Sequence, residues 1–223
     1  FWNKLGSQYE VEHSEVGLGG VMAGGGFTNG VYGQAYIAGN TNQMSVYFPK
    51  EIVPVGTGCI EFWGKLSGYS GTIPTGQTPT FVRINDGYSE YSVMFNGNDG
   101  AYNGGLCGTV GHGIMAGSGY YTGSYTYEGI LGGLPAAWHH YALVWSNDGI
   151  PGVGGTNKSA IYVDGVLNSG HWYLYYGTNS ASVPLTNGVF GLRFDSYPAS
   201  ATGTTVCIDN LKMWNYAKIN FDD

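Results

Sequence analysis

The chain has 223 residues, of which 40 are glycine, about two and a half times the usual share of roughly 7%. Because glycine costs about 1 kcal/mol relative to alanine inside a helix, this composition excludes a helix bundle, and the 43% of hydrophobic residues excludes a disordered chain. The formal charge of −7 makes nucleic acid and anionic lipid poor partners, and no apolar run approaches the about 20 residues that cross a bilayer, so we expect no membrane insertion.

Turn signals divide the chain into short alternating runs. Asp-Gly pairs stand at 86–87, 148–149 and 164–165, and Asn-Gly pairs at 29–30, 96–97 and 187–188. Such spacing is typical of antiparallel strands joined by hairpins. No linker rich in Pro, Ser or Thr interrupts the pattern, so we predict one all-β domain over residues 1–223. The chain begins at Phe1 without a methionine or a charged leader, which predicts a piece of a larger exported protein, extracellular or at a cell surface.

The first clear strand is Cys59–Leu66, where successive side chains alternate between two faces. One face is apolar and consists of Ile60, Phe62 and Leu66. The other face carries Glu61, Trp63 and Lys65. After this strand, residues 97–133 are rich in glycine and tyrosine and indicate either a ligand platform or a long surface excursion.

Two later segments predict a hairpin, Trp138–Ser146 followed by Ser159–Asp164, with Gly165 turning the chain again. An aromatic cluster at 171–176 and a strand at Val189–Asp195 come next. In the last strand, Thr205–Trp214, alternation places Val206 and Ile208 on one face. It places Cys207, Asp209, Leu211 and Met213 on the other. Because both faces are partly apolar, we expect this strand in the centre of a sheet that is covered on both sides.

Four of these pieces resemble, in their order, the laminin G-like, concanavalin A-like family. They are the motifs IEFW at 60–63, WHHYALVW at 138–145, IYVDG at 161–165 and IDNLKMW at 208–214. The resemblance covers almost the whole chain and is weakest over residues 97–133. It implies a two-sheet antiparallel jelly-roll sandwich with one concave sheet, often with a bound calcium ion.

The family includes glycosidases and polysaccharide lyases, so catalytic groups must be considered. A retaining glycosidase needs two carboxyl groups about 5–5.5 Å apart. The only acidic residues at i, i+2 spacing are Glu10 and Glu12, in a segment that does not correspond to the catalytic strand of the family's enzymes. The pair His139-His140 belongs to a structural motif of the family, so we assign it to packing. We therefore expect no enzyme activity.

The excess of tyrosine over phenylalanine favours carbohydrate binding, because aromatic rings stack on the apolar faces of sugars. We predict a lectin-like module that recognises a neutral glycan. Its groove on the concave sheet would be lined by Arg83, Tyr91, Trp172, Tyr173 and Tyr175. The alternative is a structural or adhesive surface domain that contacts other protein subunits through an apolar patch or an edge strand.

Calcium is the cofactor that the resemblance implies. In related folds a structural ion joins the first strand, a glycine-rich turn and the aspartate of the last strand. The matching positions are Glu12 (or Glu10), the carbonyl near Gly33, and Asp209. The alternative is that Asp209 only accepts hydrogen bonds from nearby backbone. Three cysteines, Cys59, Cys107 and Cys207, allow at most one internal disulfide, or serve as small buried side chains.

Overall fold

The structure, a computed structural model, describes residues 1–38, 46–68, 78–85, 89–96, 105–114, 121–127, 136–153, 159–168, 171–174, 189–192, 195–197 and 205–222. Most of these residues are in strands, and the prediction of an antiparallel all-β sandwich is confirmed. Within them no helix has the length and apolarity that crossing a membrane requires.

The strands form three sheets. In chain order they are β1 (Trp2–Asn3), β2 (Val21–Met22), β3 (Gly26–Asn29), β4 (Gln34–Ile37), β5 (Val46–Pro49), β6 (Thr57–Ser67), β7 (Thr78–Asn85), β8 (Ser89–Asn96), β9 (Gly105–Ile114), β10 (Tyr121–Tyr127), β11 (His139–Ser146), β12 (Ser159–Val163), β13 (Val166–Asn168), β14 (His171–Leu174), β15 (Val189–Leu192), β16 (Asp195–Tyr197) and β17 (Thr205–Trp214). An eight-stranded sheet has the order β13-β12-β11-β6-β17-β4-β3, with β1 paired to β17. A six-stranded sheet has the order β14-β10-β9-β8-β7-β16, and a small sheet has the order β15-β5-β2.

The main core lies between the two large sheets. The eight-stranded sheet contributes the predicted apolar face of β6 together with alternate residues of β11. The six-stranded sheet contributes Phe81, Val82, Ile84 and Val93. Aromatic contacts join the layers, since the ring centroid of Phe81 lies 5.5 Å from that of Phe62 and 4.9 Å from that of Tyr141. The predicted apolar face of β6 therefore lies toward the main core.

A second core covers the opposite face of the eight-stranded sheet. Small and apolar side chains of β6, β11 and β12 are buried there, among them Cys59, Ala142 and Ala160. The segment 215–222, which follows β17, packs over them through Phe221 and Ala217. The expectation that β17 is central and that its sheet is covered on both sides is thus confirmed.

Alternation along β17 was wrong beyond Asp209. The register between β17 and β6 shifts between Asp209 and Lys212, and Asn210 adopts the left-handed conformation with φ of 54°. This bulge adds one residue, so Leu211 and Met213 join the main core instead of the outer face. Asp209 and Lys212 consequently both lie on the outer face, beside β6.

The predicted hairpin of β11 and β12 is confirmed, with Tyr141 paired to Val163 and Trp145 to Ser159. A short helix, α1 (Gln8–Glu12), was not predicted. The hydroxyl of Ser7 caps it by accepting a hydrogen bond from the Glu10 N–H at 3.2 Å, and Val11 is buried beneath it. Glu10 and Glu12 therefore lie on a helix rather than on a strand.

Candidate functional site

Four of the five residues predicted to line a glycan groove lie on strands of the six-stranded sheet. Arg83 lies on β7, Tyr91 on β8, and Trp172 and Tyr173 on β14. Tyr175 lies outside the described residues. Strand β14 is at one edge of the sheet and β7 is next to the other edge, so these positions span its width.

The register of the strands divides these four positions between two faces. Residues directly opposite each other on neighbouring strands share a face of the sheet. One row across five strands consists of Arg83, Ser92, Thr109, Tyr125 and Tyr173. Two other rows run on either side of this one. One begins at Ile84 and includes Tyr91, and the other begins at Val82 and ends at Trp172. Ile84 and Val82, with which these two rows begin, are buried in the main core. Arg83, by contrast, is only half-buried.

A cavity of about 220 Å³ opens on the outer face of the eight-stranded sheet, where sequence reasoning predicted no site. Three strands supply its floor: β6 contributes Glu61, β11 contributes His140, and β17 contributes Lys212. The turn after β12 and the segment 215–222 close two of its sides. We call this cavity the Glu61 pocket.

Glu61 is the centre of the charges in this pocket. It is only 2% exposed, and the Nζ of Lys218 lies 3.2 Å from both of its carboxylate oxygens. The Nζ of Lys212 lies 3.8 Å from Oε1, and the Nε2 of His140 lies 3.7 Å from Oε2. Lys218 is itself 8% exposed. The pair therefore joins the segment 215–222 to β6 through two charges that are both shielded from water.

The two adjacent histidines of β11 have different surroundings. The Nδ1 of His139 lies 2.6 Å from Oδ2 of Asp164, and the backbone N–H of His140 donates to Oδ1 of the same carboxylate. Asp164 has φ of 50° in the turn after β12, so these contacts hold the turn against β11. The side chain of His140 lines the Glu61 pocket, where burial lowers its pKa while the charge of Glu61 opposes that shift.

Several residues of the Glu61 pocket could not be found from the sequence alone. Lys212 reaches it because of the bulge at Asn210, and Lys218 lies 157 positions from its partner Glu61. Alternation places Glu61 on the face of β6 opposite its apolar residues, so the sequence alone does not show that this carboxylate is buried. A buried carboxylate is almost always paired, and the burial of Glu61 is visible only in the structure.

Asp209 occupies the position expected of a calcium ligand and is 1% exposed. Its Oδ2 accepts hydrogen bonds from the backbone N–H groups of Val31 at 2.7 Å and Tyr32 at 2.9 Å. Its Oδ1 is buried and accepts no hydrogen bond within the described residues. Burial raises the pKa of Asp209 even though these N–H donors act in the opposite direction. One oxygen thus has a structural role, and the other is left for a further donor or a cation.

The other predicted calcium ligands are only partly brought to Asp209. Gly33 lies in the same turn, and its carbonyl accepts a hydrogen bond from the N–H of Gly30. Glu12 is exposed and accepts a hydrogen bond from Gln8 on α1, so it is not directed to this position. Glu10 is the better candidate, because its carboxylate reaches the N–H of Gly6 at 2.9 Å and its charge acts on Asp209. In the described part of the chain no cluster of three or more His, Cys, Asp or Glu side chains has metal-binding geometry.

The two cysteines whose side chains are described, Cys59 and Cys207, are free and buried. Burial raises the pKa of Cys207 to about 11 and that of Cys59 well above its ordinary value. Burial therefore disfavours the reactive thiolate form of both, and the two side chains fill space in the sheet.

No family model and no curated protein sequence matches the chain. Solved structures do share its fold. Domain 4 of AbnA, a GH43 extracellular arabinanase from Geobacillus stearothermophilus, solved in complex with arabinotriose, is 15% identical with a TM-score of 0.55, over 96% of this chain and 92% of that domain. The binding domain of botulinum neurotoxin serotype G is 12% identical with a TM-score of 0.56, over 92% of this chain and 45% of that one.

The receptor binding domain of botulinum neurotoxin mosaic serotype C/D is 12% identical with a TM-score of 0.55, over 97% of this chain and 48% of that one. The chain thus spans about half the length of the toxin domains and nearly all of the arabinanase domain. At these identities the likeness establishes the fold alone, an antiparallel β-sandwich.

Proposed function

We propose that this chain is a non-catalytic carbohydrate-binding module for a neutral glycan. The observation that carries the proposal is the match, over nearly the full length of both chains, to an arabinanase domain solved with arabinotriose. The composition supports it, because few charges and many tyrosines suit a neutral sugar chain better than an acidic one. We also propose that the chain is a laminin G-like, concanavalin A-like domain of an exported protein, on the strength of its four ordered motifs.

We place the glycan on the face of the six-stranded sheet that carries Arg83, along the row that runs from Arg83 on β7 to Tyr173 on β14. Arg83 is only half-buried, whereas the neighbouring Val82 and Ile84 are in the main core. A guanidinium has five N–H donors and would bind sugar hydroxyls, and tyrosines along the row would offer ring faces. Tyr91 and Trp172 lie in rows that begin at the buried Ile84 and Val82, so we assign these rows to the core face and the two residues to packing.

Affinity electrophoresis in gels that contain neutral polysaccharides, arabinan among them, tests this placement. We expect Arg83→Ala and Tyr173→Ala each to weaken retardation by about tenfold in Kd, since each removes a direct contact. Tyr91→Phe is the matched control, because it keeps the ring of a core-face row and should retain binding. The wild type is compared with these three variants. If every polysaccharide that retards the wild type also retards all three variants equally, the placement is contradicted.

We further propose that calcium binds at Asp209 and stabilises the fold. The buried Oδ1 of Asp209 supports a cation there, and Glu10 together with backbone carbonyls of the turn at Gly33 would complete an oxygen site. Calcium, when bound, would join the N-terminal segment to β17 and would have no chemical role. Thermal melts with excess calcium and with a chelator test the proposal. We expect a higher Tm with calcium, and an equal Tm in both conditions would contradict it.

An adhesive role is the second candidate, and one observation favours it. Val16, Leu18 and Val21 are exposed apolar residues close together in sequence, and Val21 lies on β2, an edge strand of the small sheet. Exposed apolar side chains at a sheet edge are suited to pairing with another chain. Light scattering over a range of protein concentrations tests this role, which predicts self-association that Val21→Lys abolishes. A monomer at every concentration would contradict self-assembly.

A further inference from the structure

Segment 215–222 crosses the outer face of the eight-stranded sheet, the face that carries the second core, without forming a strand or a helix. It begins directly after β17 and reaches the turn after β12, where Phe221 and Gly165 both line the Glu61 pocket. We call this segment the strap. Because the strap belongs to no strand, its release from the sheet would break no strand pairing of the described residues.

Few side chains attach the strap to the sheet. Ala217 and Phe221 pack on the second core, and Lys218 reaches the buried carboxylate of Glu61. The other five residues of the strap are exposed, at positions 215, 216, 219, 220 and 222. Within the described residues, attachment of the strap therefore rests mainly on three of its eight side chains.

Lys218 is the anchor of the strap. Its Nζ lies 3.2 Å from both carboxylate oxygens of Glu61, and Lys218 and Glu61 are 8% and 2% exposed. Such a pair is favourable only while both charges are in place, because a single charge left in a buried site is strongly destabilising. Release of the strap would withdraw Lys218 and Phe221 from the pocket and admit water to Glu61. Loss of the Lys218 charge therefore favours an open strap, in which Glu61 is hydrated.

The surface under the strap can be uncovered without disrupting the main core. The second core and the main core share no residue and lie on opposite faces of the eight-stranded sheet. On the outer face, the ring of Phe221 lies 5.1 Å from that of Tyr162 and 5.4 Å from that of His140. A segment with few buried contacts can open locally while the rest of a domain stays folded.

Cys59 is a natural probe of the second core. It belongs to that core and is fully buried, whereas Cys207 is equally buried but does not belong to it. Burial raises the pKa of the Cys59 thiol, the charge of Glu61 raises it further, and the charge of Lys218 opposes both, so this thiol is within electrostatic reach of the anchor. Reaction of Cys59 without reaction of Cys207 would therefore report opening of the strap alone.

We propose that the strap opens as a unit while the sandwich stays folded, and that the pair of Lys218 and Glu61 holds it closed. The open form uncovers the second core and removes one wall of the Glu61 pocket, so the strap governs access to this side of the sheet. This device goes beyond the proposed function, because the strap lies on the eight-stranded sheet and the glycan is placed on the six-stranded one.

Alkylation with a thiol reagent at pH 8, followed by peptide mass spectrometry, measures each cysteine separately. In the wild type we expect Cys59 and Cys207 to stay protected. In Lys218→Met, Cys59 should react at least about tenfold faster than Cys207, since the unpaired Glu61 charge favours opening. Phe221→Ala should act in the same direction, because it removes apolar contact between the strap and the sheet.

Two further variants serve as controls. Lys4→Met breaks the exposed pair of Lys4 with Glu15 and should keep both thiols protected. The double variant Glu61→Gln with Lys218→Met leaves no buried charge, so its Cys59 should react more slowly than that of Lys218→Met alone.

Equal rates for Cys59 and Cys207 in Lys218→Met would mean that the whole domain opens, and would overturn the inference. Protection of Cys59 in both Lys218→Met and Phe221→Ala would also overturn it, since the strap would then not open separately. If Lys218→Met does not fold, the same comparison of the two thiols in Phe221→Ala decides.

Discussion

The ion pair between Glu61 and Lys218 gives the sharpest stability prediction, and Lys218→Met is the substitution that tests it. Methionine keeps most of the apolar stem of lysine and removes the ammonium group, whose Nζ lies 4.9 Å from the ring centroid of Trp214 and 5.3 Å from that of Phe221. The change therefore removes the charge together with its contacts to these two rings. Among the residues that the structure describes, it leaves Glu61, 2% exposed, with the more distant Lys212 as its lysine partner.

Removing one partner of a buried pair costs about 3–5 kcal/mol, because the remaining charge is shielded from water. Since Lys212 remains near Glu61, we expect the lower end, about 3 kcal/mol. For a domain of this size that corresponds to a fall in Tm of about 6–12 °C. Differential scanning calorimetry at pH 7 measures it, and added salt should change the difference little, since buried pairs are weakly screened.

Lys4→Met is the matched control. Lys4 lies 2.7 Å from Glu15, closer than Lys218 lies to Glu61, but the two side chains are 42% and 41% exposed. We expect no measurable change in Tm, because an exposed pair gains little over hydration. The double variant Glu61→Gln with Lys218→Met should recover part of the loss, since it leaves no buried charge. A Lys218→Met protein that melts within about 1 °C of Lys4→Met would refute the reasoning.

Three further predictions concern other parts of the structure. Burial lowers the pKa of His140, so the folded state disfavours its protonation and Tm should fall as pH drops below about 6.5. Melts between pH 5 and 8 measure this dependence, and His140→Gln should flatten it. The charged neighbours Glu61, Asp164, Lys212 and Lys218 are unchanged in that variant. At the bulge, Asn210→Ala should lower the free energy of unfolding in urea by about 1–2 kcal/mol, because the φ of residue 210 is positive, and Asn210→Gly should lower it less. An equal loss in both variants would instead assign the effect to the Asn210 side chain, which accepts a hydrogen bond from Trp2. Cys59 and Cys207 should react with a thiol reagent at pH 8 only after denaturation, since burial raises the pKa of both; rapid labelling of either in the native protein, measured by mass spectrometry, would contradict this.

The strands could be predicted because their signals are local. Alternation in Cys59–Leu66 and the turn at Asp164-Gly165 are properties of a few consecutive residues, and the structure has both. The predicted alternation of β17 is wrong beyond Asp209, because alternation is also a purely local rule. Alternation assumes that every residue advances the strand by one step, and the positive φ of Asn210 inserts an unpaired residue that reverses every later position.

The candidate sites depend on contacts that no local pattern contains. Alternation within one strand separates its residues into two faces. It does not show which face of β8 and which face of β14 lie on the same side of the sheet. Sequence patterns therefore group Tyr91 and Trp172 with Arg83, whereas the strand register pairs them into rows that begin at the buried Ile84 and Val82. Likewise, the ligand position assigned to Glu12 assumed an extended first segment. The Ser7 cap and the burial of Val11 favour a helix there, and on a helix residues i and i+2 point in different directions.

The high glycine content has a structural reason where the N-terminal segment meets β17. A Cβ on Gly30 would collide with the carboxylate of Asp209 and with the side chain of Ala35 at 2.9 Å. Only glycine lets the turn approach closely enough for Val31 and Tyr32 to donate their N–H groups to Asp209. The same approach carries Tyr32 to the rim of the Glu61 pocket, where its ring meets Trp63. The turn whose close approach requires Gly30 therefore serves both positions on this sheet. It supplies N–H donors to the Asp209 carboxylate and one wall of the Glu61 pocket.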